Sequence, residues 1–211
     1  MNPPKLIGVI LAAGKSERMG RDKLSLSIGE TAIGSLSLQS ALASRLDHIL
    51  VVTNPQHSYP WIDFPSSETR LSIIPCVNAH LGQAYSLQAG VKRAIKMSAD
   101  GVLVQLADQP FVTKGMLDQL IECFIQASVN HNRISFVASN NKGRFQPPIL
   151  FSKHLFSQLL RLKGDQGARQ ILRSQMKNNG IAIDFDKERY FYDIDTEEDY
   201  QWIKQQVMEV G

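Results

Sequence analysis

Short runs of consecutive apolar residues alternate with helical patterns along this chain, and this alternation constrains the fold more than any other feature. Runs of about four to eight apolar residues fit strands that are buried on both faces, as in a parallel sheet. The strongest runs are KLIGVIL (5–11), HILVVTN (48–54) and GVLVQLAD (101–108). The pattern predicts an α/β fold with a Rossmann-like, doubly wound, mostly parallel sheet.

The segments between these runs complete the predicted element order. Helical spacing covers residues 31–44 and 82–97, and Thr113 and Thr196 each precede a further amphipathic helix as a predicted N-cap. Shorter helices are predicted at 152–161 and 166–177, and shorter strands at 71–77, 134–139, 148–151, 181–185 and 190–194. Pro75 would place the strand that contains it at a sheet edge.

The bulk properties restrict the class of protein. A chain of 211 residues suits a single domain, 1–211, in which the irregular second part, about 113–211, elaborates the first, about 1–112. A net charge of +3 and the lack of a basic stripe argue against nucleic acid as a partner. The sequence shows no signal peptide and no apolar run of about 18 residues that could span a membrane, so we expect a soluble cytoplasmic protein.

The loop LAAGKSERMGRDK (11–23) follows the first strand, at the sheet edge where α/β proteins bind ligands. Gly14 and Gly20 allow close approach of a ligand to the backbone, and Arg18 and Lys23 add positive charge. Backbone N–H groups combined with cations predict a phosphate site. The loop has neither G-x-G-x-x-G nor Walker spacing, so it is a different phosphate loop. The alternative is an exposed turn with solvated charges.

Carboxylates follow two other predicted strands. Asp108 ends LADQP (106–110), and Asp193 and Asp195 lie in YDIDTEED (192–199). Two carboxylates beside a polyphosphate match the oxygen ligands that Mg²⁺ prefers. The alternative is that Asp108 caps the turn before Pro110, and that Asp193 or Asp195 caps the last helix.

Five stretches resemble the nucleotidyltransferases related to molybdopterin-guanine dinucleotide synthase, and most closely molybdenum cofactor cytidylyltransferase. They span nearly the whole chain, and LADQP and GDQGAR are the most specific of them. The stretches are LAAGKSERMGRDK (11–23), GQAYSLQAG (82–90), LADQPFVT (106–113), LKGDQGARQIL (162–172) and DIDTEED (193–199).

The resemblance implies the nucleotide-diphospho-sugar transferase type of fold, with a nucleotide-binding half at about 1–112 and an acceptor-binding elaboration at about 113–211. It also implies a Mg²⁺-dependent transfer of CMP from CTP to the terminal phosphate of molybdenum-bearing molybdopterin, which yields molybdopterin cytosine dinucleotide and pyrophosphate. Such a transfer requires positioning and charge stabilisation, and no general base is needed because the attacking group is already a phosphate.

The resemblance also assigns roles to residues. Arg18 and Lys23 would hold the phosphates and stabilise the transition state, and Asp108 would bind Mg²⁺ with Asp193 or Asp195. Ala13 suits the cytidylyl subgroup, because the guanylyl enzymes resemble L-A-G-G at that position. The residues expected to contact the nucleotide are Leu11, Ala12, Ala13, Gly14, Gly82, Ser86 and Leu87, together with Arg18, Lys23 and Asp108.

One segment departs from the family pattern and leaves the acceptor open. The chain reads GRFQPPILF (143–151) where the family usually has a G-[NH]-P-V-like turn, and this region should face the acceptor. Arg144, Asp165 and Arg169 are candidate acceptor contacts, with solvated charges or a helix cap as the alternative.

Two other functions stay open at this point. The first is a nucleotidyltransferase of the same fold that acts on a sugar, polyol or phospholactate phosphate. The second is an insertion chaperone that carries the finished cofactor to a molybdenum hydroxylase; that enzyme or its chaperone is also a possible partner of the transferase. A chaperone would not need both Mg²⁺ carboxylates.

Overall fold

The three strongest apolar runs lie side by side as parallel strands at the centre of one sheet. In the computed structural model, which describes residues 3–14, 19–65, 67–129, 133–165 and 168–208, strand β1 (Leu6–Ala12) pairs with β4 (His48–Thr53) on one side and with β6 (Gly101–Leu106) on the other. Their residues are almost all buried, as continuous apolar runs require. The predicted doubly wound, mostly parallel sheet is confirmed.

In the described part of the chain, the sheet has seven strands in the order β5-β4-β1-β6-β8-β7-β9. The edge strand β5 (Leu71–Pro75) ends at Pro75, as predicted. Strand β8 (Arg144–Ser152) runs antiparallel to β6 and to β7 (Phe136–Asn141), whereas β9 (Gly180–Asp184) is parallel to β7. A small hairpin of β2 (Ser27–Ile28) and β3 (Thr31–Ala32) was not predicted.

Helices cover both faces of the sheet and divide the core into two apolar clusters. The longer helices are α1 (Ile33–Ala43), α2 (Gln83–Lys96), α3 (Lys114–Val129), α5 (Arg169–Asn179) and α6 (Glu197–Met208); α4 is a short helix, Phe156–Leu159. Thr113 accepts a hydrogen bond from the Met116 N–H at the start of α3, which confirms its predicted capping role. None of the described helices is long and apolar enough to cross a bilayer.

Two predictions about the second part of the chain are wrong. Residues 190–194 do not form a strand, because Glu188–Phe191 is a 3-10 helix and the Ile194 N–H bonds to the Asp108 carbonyl, 3.2 Å away, instead of joining a ladder. The helix predicted at 152–161 is broken into a 3-10 turn, Lys153–Leu155, and α4. Periodicity alone reveals neither the long-range hydrogen bond of Ile194 nor the 3-10 turn that begins at Lys153.

Candidate active site

The site lies at the carboxyl ends of β1 and β6, where the sheet meets the loops. A cavity of about 510 Å³ opens there. Its lining comes from six separated parts of the sequence: Leu11, Ala12, Ala13, Gly14, Lys23, Leu24, Ala79, His80, Leu81, Gly82, Gln83, Ser86, Leu106, Ala107, Asp108, Asp165 and Asp195. We call it the first cavity.

Lys23 joins two of the carboxylates that line the first cavity. Its Nζ donates to Asp108 Oδ2 at 2.6 Å and to Asp195 Oδ1 at 2.9 Å. Burial would lower the pKa of Lys23, but the charges of Asp108 and Asp195 and their hydrogen bonds outweigh burial and raise it. Lys23 is therefore charged near neutrality. The sequence predicted a lysine that contacts phosphates; the structure pairs it with carboxylates.

The position of Lys23 is set by the turn before it and by the last helix. Asp22 caps the 3-10 helix Lys23–Ser25 by accepting from the Leu24 N–H at 3.1 Å. Arg21 forms an ion pair with Glu197 in α6, and the Tyr200 hydroxyl donates to the Ser27 carbonyl at 2.8 Å. Helix α6 thus ties the far end of the chain to the loop that carries Lys23.

Asp195 is held in place by the predicted capping box. The Asp199 carboxylate accepts from the N–H groups of Asp195 and Thr196, at 3.0 and 2.7 Å, and the Asp199 N–H donates to the Thr196 hydroxyl at 3.2 Å. Asp199 also accepts from Tyr192. The start of α6 therefore orients Asp195 toward Lys23 and Asp108.

Gly82 allows two backbone segments in the wall of the first cavity to approach each other closely. It has a positive φ of 122°, and a Cβ added to it would lie 2.3 Å from the backbone of Gly164. This close approach lets Asp165 accept from the Gln83 N–H at 3.2 Å and the Gly164 carbonyl accept from the Ala84 N–H at 3.0 Å. Asp165 therefore caps the start of α2 and lines the first cavity.

A second cavity, of about 280 Å³, adjoins the first and shares Leu11, Gln83 and Leu106 with it. Its lining mixes apolar and polar side chains, and it includes Phe145, Gln146 and Pro147 from the segment that departs from the family pattern. Leu87, predicted to contact the nucleotide, lines this second cavity and not the first.

The two aspartates of the DID sequence face different cavities. Asp195 lines the first cavity, whereas Asp193 lines the second and accepts from Gln109 Nε2 at 2.8 Å. Asp193 opens onto its cavity, yet surrounding atoms desolvate its carboxylate and the nearby Asp108 charge opposes its ionisation, so its pKa rises to about 6. The sequence left open which of the two accompanies Asp108; the structure brings Asp195 to Asp108 through Lys23.

The remaining predicted residues divide into three groups. Ala12, Ala13, Gly14, Gly82 and Ser86 line the first cavity, as expected of nucleotide contacts. Arg144 is exposed at the start of β8 and lines neither cavity. Arg18 lies outside the described residues, and of Arg169 only the backbone is described.

Sequence reasoning did not identify Gln109. Its side chain is only 1% exposed, which is unusual for a glutamine directly after a candidate metal ligand. The residue stands within the LADQP motif, and its place at the end of a buried strand was the signal that could have found it.

The family can now be stated from comparison with known proteins. The profile described as "MobA-like NTP transferase domain" matches residues 8–179. The chain belongs to this family of nucleotidyltransferases. Purine catabolism protein PucB from Bacillus subtilis is 42% identical over 209 residues, 97% of this chain and 98% of its own length.

Two further relatives of the MobA-like chain are more distant. A probable molybdenum cofactor guanylyltransferase from Thermococcus sibiricus is 29% identical over 126 residues, which is 58% of each chain. The solved structure of a nucleotidyl transferase from Methanothermobacter has a TM-score of 0.78 at 19% identity, with 98% of this chain and 99% of that chain covered. At that identity the structural match supports the nucleotide-diphospho-sugar transferase fold and nothing finer.

Proposed function

We propose that this nucleotidyltransferase transfers CMP from CTP to the terminal phosphate of molybdenum-bearing molybdopterin. An oxygen of the acceptor phosphate would bond to the α-phosphorus of CTP, the bond from that phosphorus to the β-phosphate oxygen would break, and pyrophosphate would leave. The observation that carries the proposal is the meeting of Lys23, Asp108 and Asp195 in the first cavity, which the LAAG segment, residues 11–14, also lines.

The carboxylates fit a divalent cation. One carboxylate oxygen of Asp108 and one of Asp195 lie beside the Nζ atom of Lys23. The positive charge of this lysine therefore already lies between the two carboxylates. The described residues contain no group of three or more His, Cys, Asp and Glu side chains suited to a metal, so a Mg²⁺ ion would take its other ligands from phosphate and water. When bound, Mg²⁺ would offset the charge that develops on the phosphate oxygens.

The protein's own part in the reaction is positioning and charge. The backbone of Ala12, Ala13 and Gly14 lines the cavity where the nucleotide would lie. Lys23 is a buried, charged donor in the same cavity and would stabilise the charge on the transferring phosphate. The second cavity, adjoining the first, offers space for the acceptor.

The choice of CTP and molybdopterin has its own support. Ala13 matches the cytidylyl pattern, and it lines the first cavity. PucB is named for purine catabolism, and a molybdenum hydroxylase that oxidises purines would be a natural recipient of the product. The guanylyltransferase relative supports the molybdenum cofactor as the acceptor class, although its name specifies guanine as the base and not cytosine.

The test is pyrophosphate release from the purified protein with Mg²⁺ and molybdenum-loaded molybdopterin, comparing CTP with GTP, ATP and UTP. We expect turnover that strongly prefers CTP, stops with EDTA and returns with excess Mg²⁺. A preference for GTP would overturn the cytidylyl assignment. No turnover with any nucleotide, from protein shown to bind CTP, would overturn molybdopterin as the acceptor.

A further inference from the structure

Asp193 lines a different cavity from Asp195, only two residues away, although it remains close enough to Asp108 for their charges to interact. The buried Ile194 between them is fixed by its hydrogen bond to the Asp108 carbonyl, and the two carboxylates lie in different cavities. Asp195 contacts Lys23, whereas Asp193 contacts Gln109. The two acids of one short motif therefore have different partners and line different cavities.

Gln109 is built to hold Asp193. Its amide nitrogen donates to Asp193 Oδ1 at 2.8 Å, while its Oε1 is buried and has no hydrogen-bond partner among the described residues. A buried amide oxygen without a hydrogen-bond partner destabilises the fold, so some other contact must explain a glutamine at this position. The hydrogen bond from Gln109 to Asp193 is such a contact, because it fixes which carboxylate oxygen of Asp193 remains available to a ligand.

The second cavity combines this carboxylate with apolar walls. Its lining includes the half-buried Phe145, the buried Phe151, Leu87 and Leu172, and the amides of Gln83 and Gln146. Asp193 is the one charged side chain among the described residues that line it. Aromatic surface beside a carboxylate suits a flat ring that presents N–H groups at its edge.

We infer that Asp193, positioned by Gln109, recognises the acceptor by accepting hydrogen bonds from the N–H edge of a flat heterocycle held between the apolar walls. A carboxylate is an acceptor only, so it selects ring edges that present donors. The edge of a pterin ring formed by its 2-amino group and neighbouring ring N–H has this character. The inference rests on the proposed function and extends it to the ring of the acceptor.

Binding of two ring probes tests the inference without any turnover. 6-Hydroxymethylpterin presents the 2-amino group, and 6-hydroxymethyllumazine carries an oxygen there instead. In calorimetric titrations we expect the wild-type protein to bind the pterin at least about tenfold more tightly. Asp193→Asn should bring this ratio close to one, and Asp63→Asn, an exposed acid in a remote loop, should leave it unchanged. A ratio unaltered by Asp193→Asn, or no binding of the pterin to the wild type, would overturn the inference.

Steady-state kinetics with CTP and molybdopterin separate Asp193 from the metal site. Asp193→Asn should raise the acceptor KM about tenfold while the CTP KM stays within about twofold. Gln109→Met, similar in size but without the donor, should shift the acceptor KM in the same direction by about threefold. An equal loss of CTP binding would make Asp193 a nucleotide or metal residue instead. Asp193-dependent binding of the pterin without pyrophosphate release would retain this inference and reject the proposed reaction.

Discussion

The two adjoining cavities differ in how they bind. The first concentrates charge: one buried lysine lies between two carboxylates, against a loop of backbone groups. The second combines apolar side chains with Asp193, the one carboxylate among the described residues that line it, which accepts from the buried Gln109. One short motif, DID, supplies an acid to each cavity, so proximity in sequence does not imply a shared role.

The largest expected effect comes from removing the charge at the centre of the first cavity. Asp108→Ala should lower turnover by about a thousandfold, since a group that holds a metal or developing charge is lost. The fold should survive, because Asp108 is a strand-end carboxylate and not core packing; circular dichroism and the melting temperature would show this. Asp63→Ala, an exposed acid outside both cavities, is the matched control. Near-normal turnover of Asp108→Ala would contradict the proposal that Asp108 binds Mg²⁺.

Lys23→Ala separates binding from catalysis in the same cavity. We expect kcat to fall about a hundredfold, while the Kd for CTP changes by less than about threefold, if Lys23 acts mainly in the transition state. Single-turnover kinetics and CTP titration measure the two quantities. Equal losses in both would make Lys23 an anchor for the nucleotide. The variant should also be stabilised more strongly by Mg²⁺ than the wild type, because Asp108 and Asp195 lose their shared cation.

A change in the second cavity should affect only the acceptor. Phe145→Ala removes an aromatic wall, and we expect the acceptor KM to rise about tenfold with the CTP KM unchanged. Phe145 also packs edge-on against Phe136 at 6.2 Å, so the melting temperature must be measured in parallel. Phe145→Leu, which keeps apolar bulk, should recover part of the loss. A matching rise in the CTP KM would mean that the two cavities do not bind separate substrates.

The smallest effect is expected at the start of α6. Thr196→Ala removes the hydroxyl that accepts from the Asp199 N–H, which should cost about 1 kcal/mol of stability and about 2 to 4 °C in melting temperature. Thermal unfolding with and without CTP measures this. Because Asp199 still accepts from the Asp195 N–H, turnover should fall only severalfold. A loss as large as that of Asp108→Ala would mean that the cap, and not Asp195 itself, controls the site.

Sequence patterns predicted most of the framework. The central strands, the edge position of β5, the caps at Thr113 and Thr196, and the loop at the ligand end of the sheet all follow from periodicity and local residue chemistry. These features depend on residues close together in the chain, which is why they could be predicted. The strand predicted at 190–194 was wrong because the partner of Ile194 is the carbonyl of Asp108, a contact between distant segments.

Which functional residues contact one another depends on the tertiary structure. Lys23 lies 85 residues from Asp108 and 172 from Asp195, yet all three meet at one Nζ atom. Nothing in the local sequence distinguishes Asp193 from Asp195, and only the packing of Ile194 against the end of β6 sends their carboxylates into different cavities. The sheet, the loop after β1 and the presence of aspartates at the strand ends could be predicted from the sequence, because they depend on periodicity and on residues close together in the chain. Which acid faces which ligand depends on the folded chain, because only folding brings charges and walls from distant segments together.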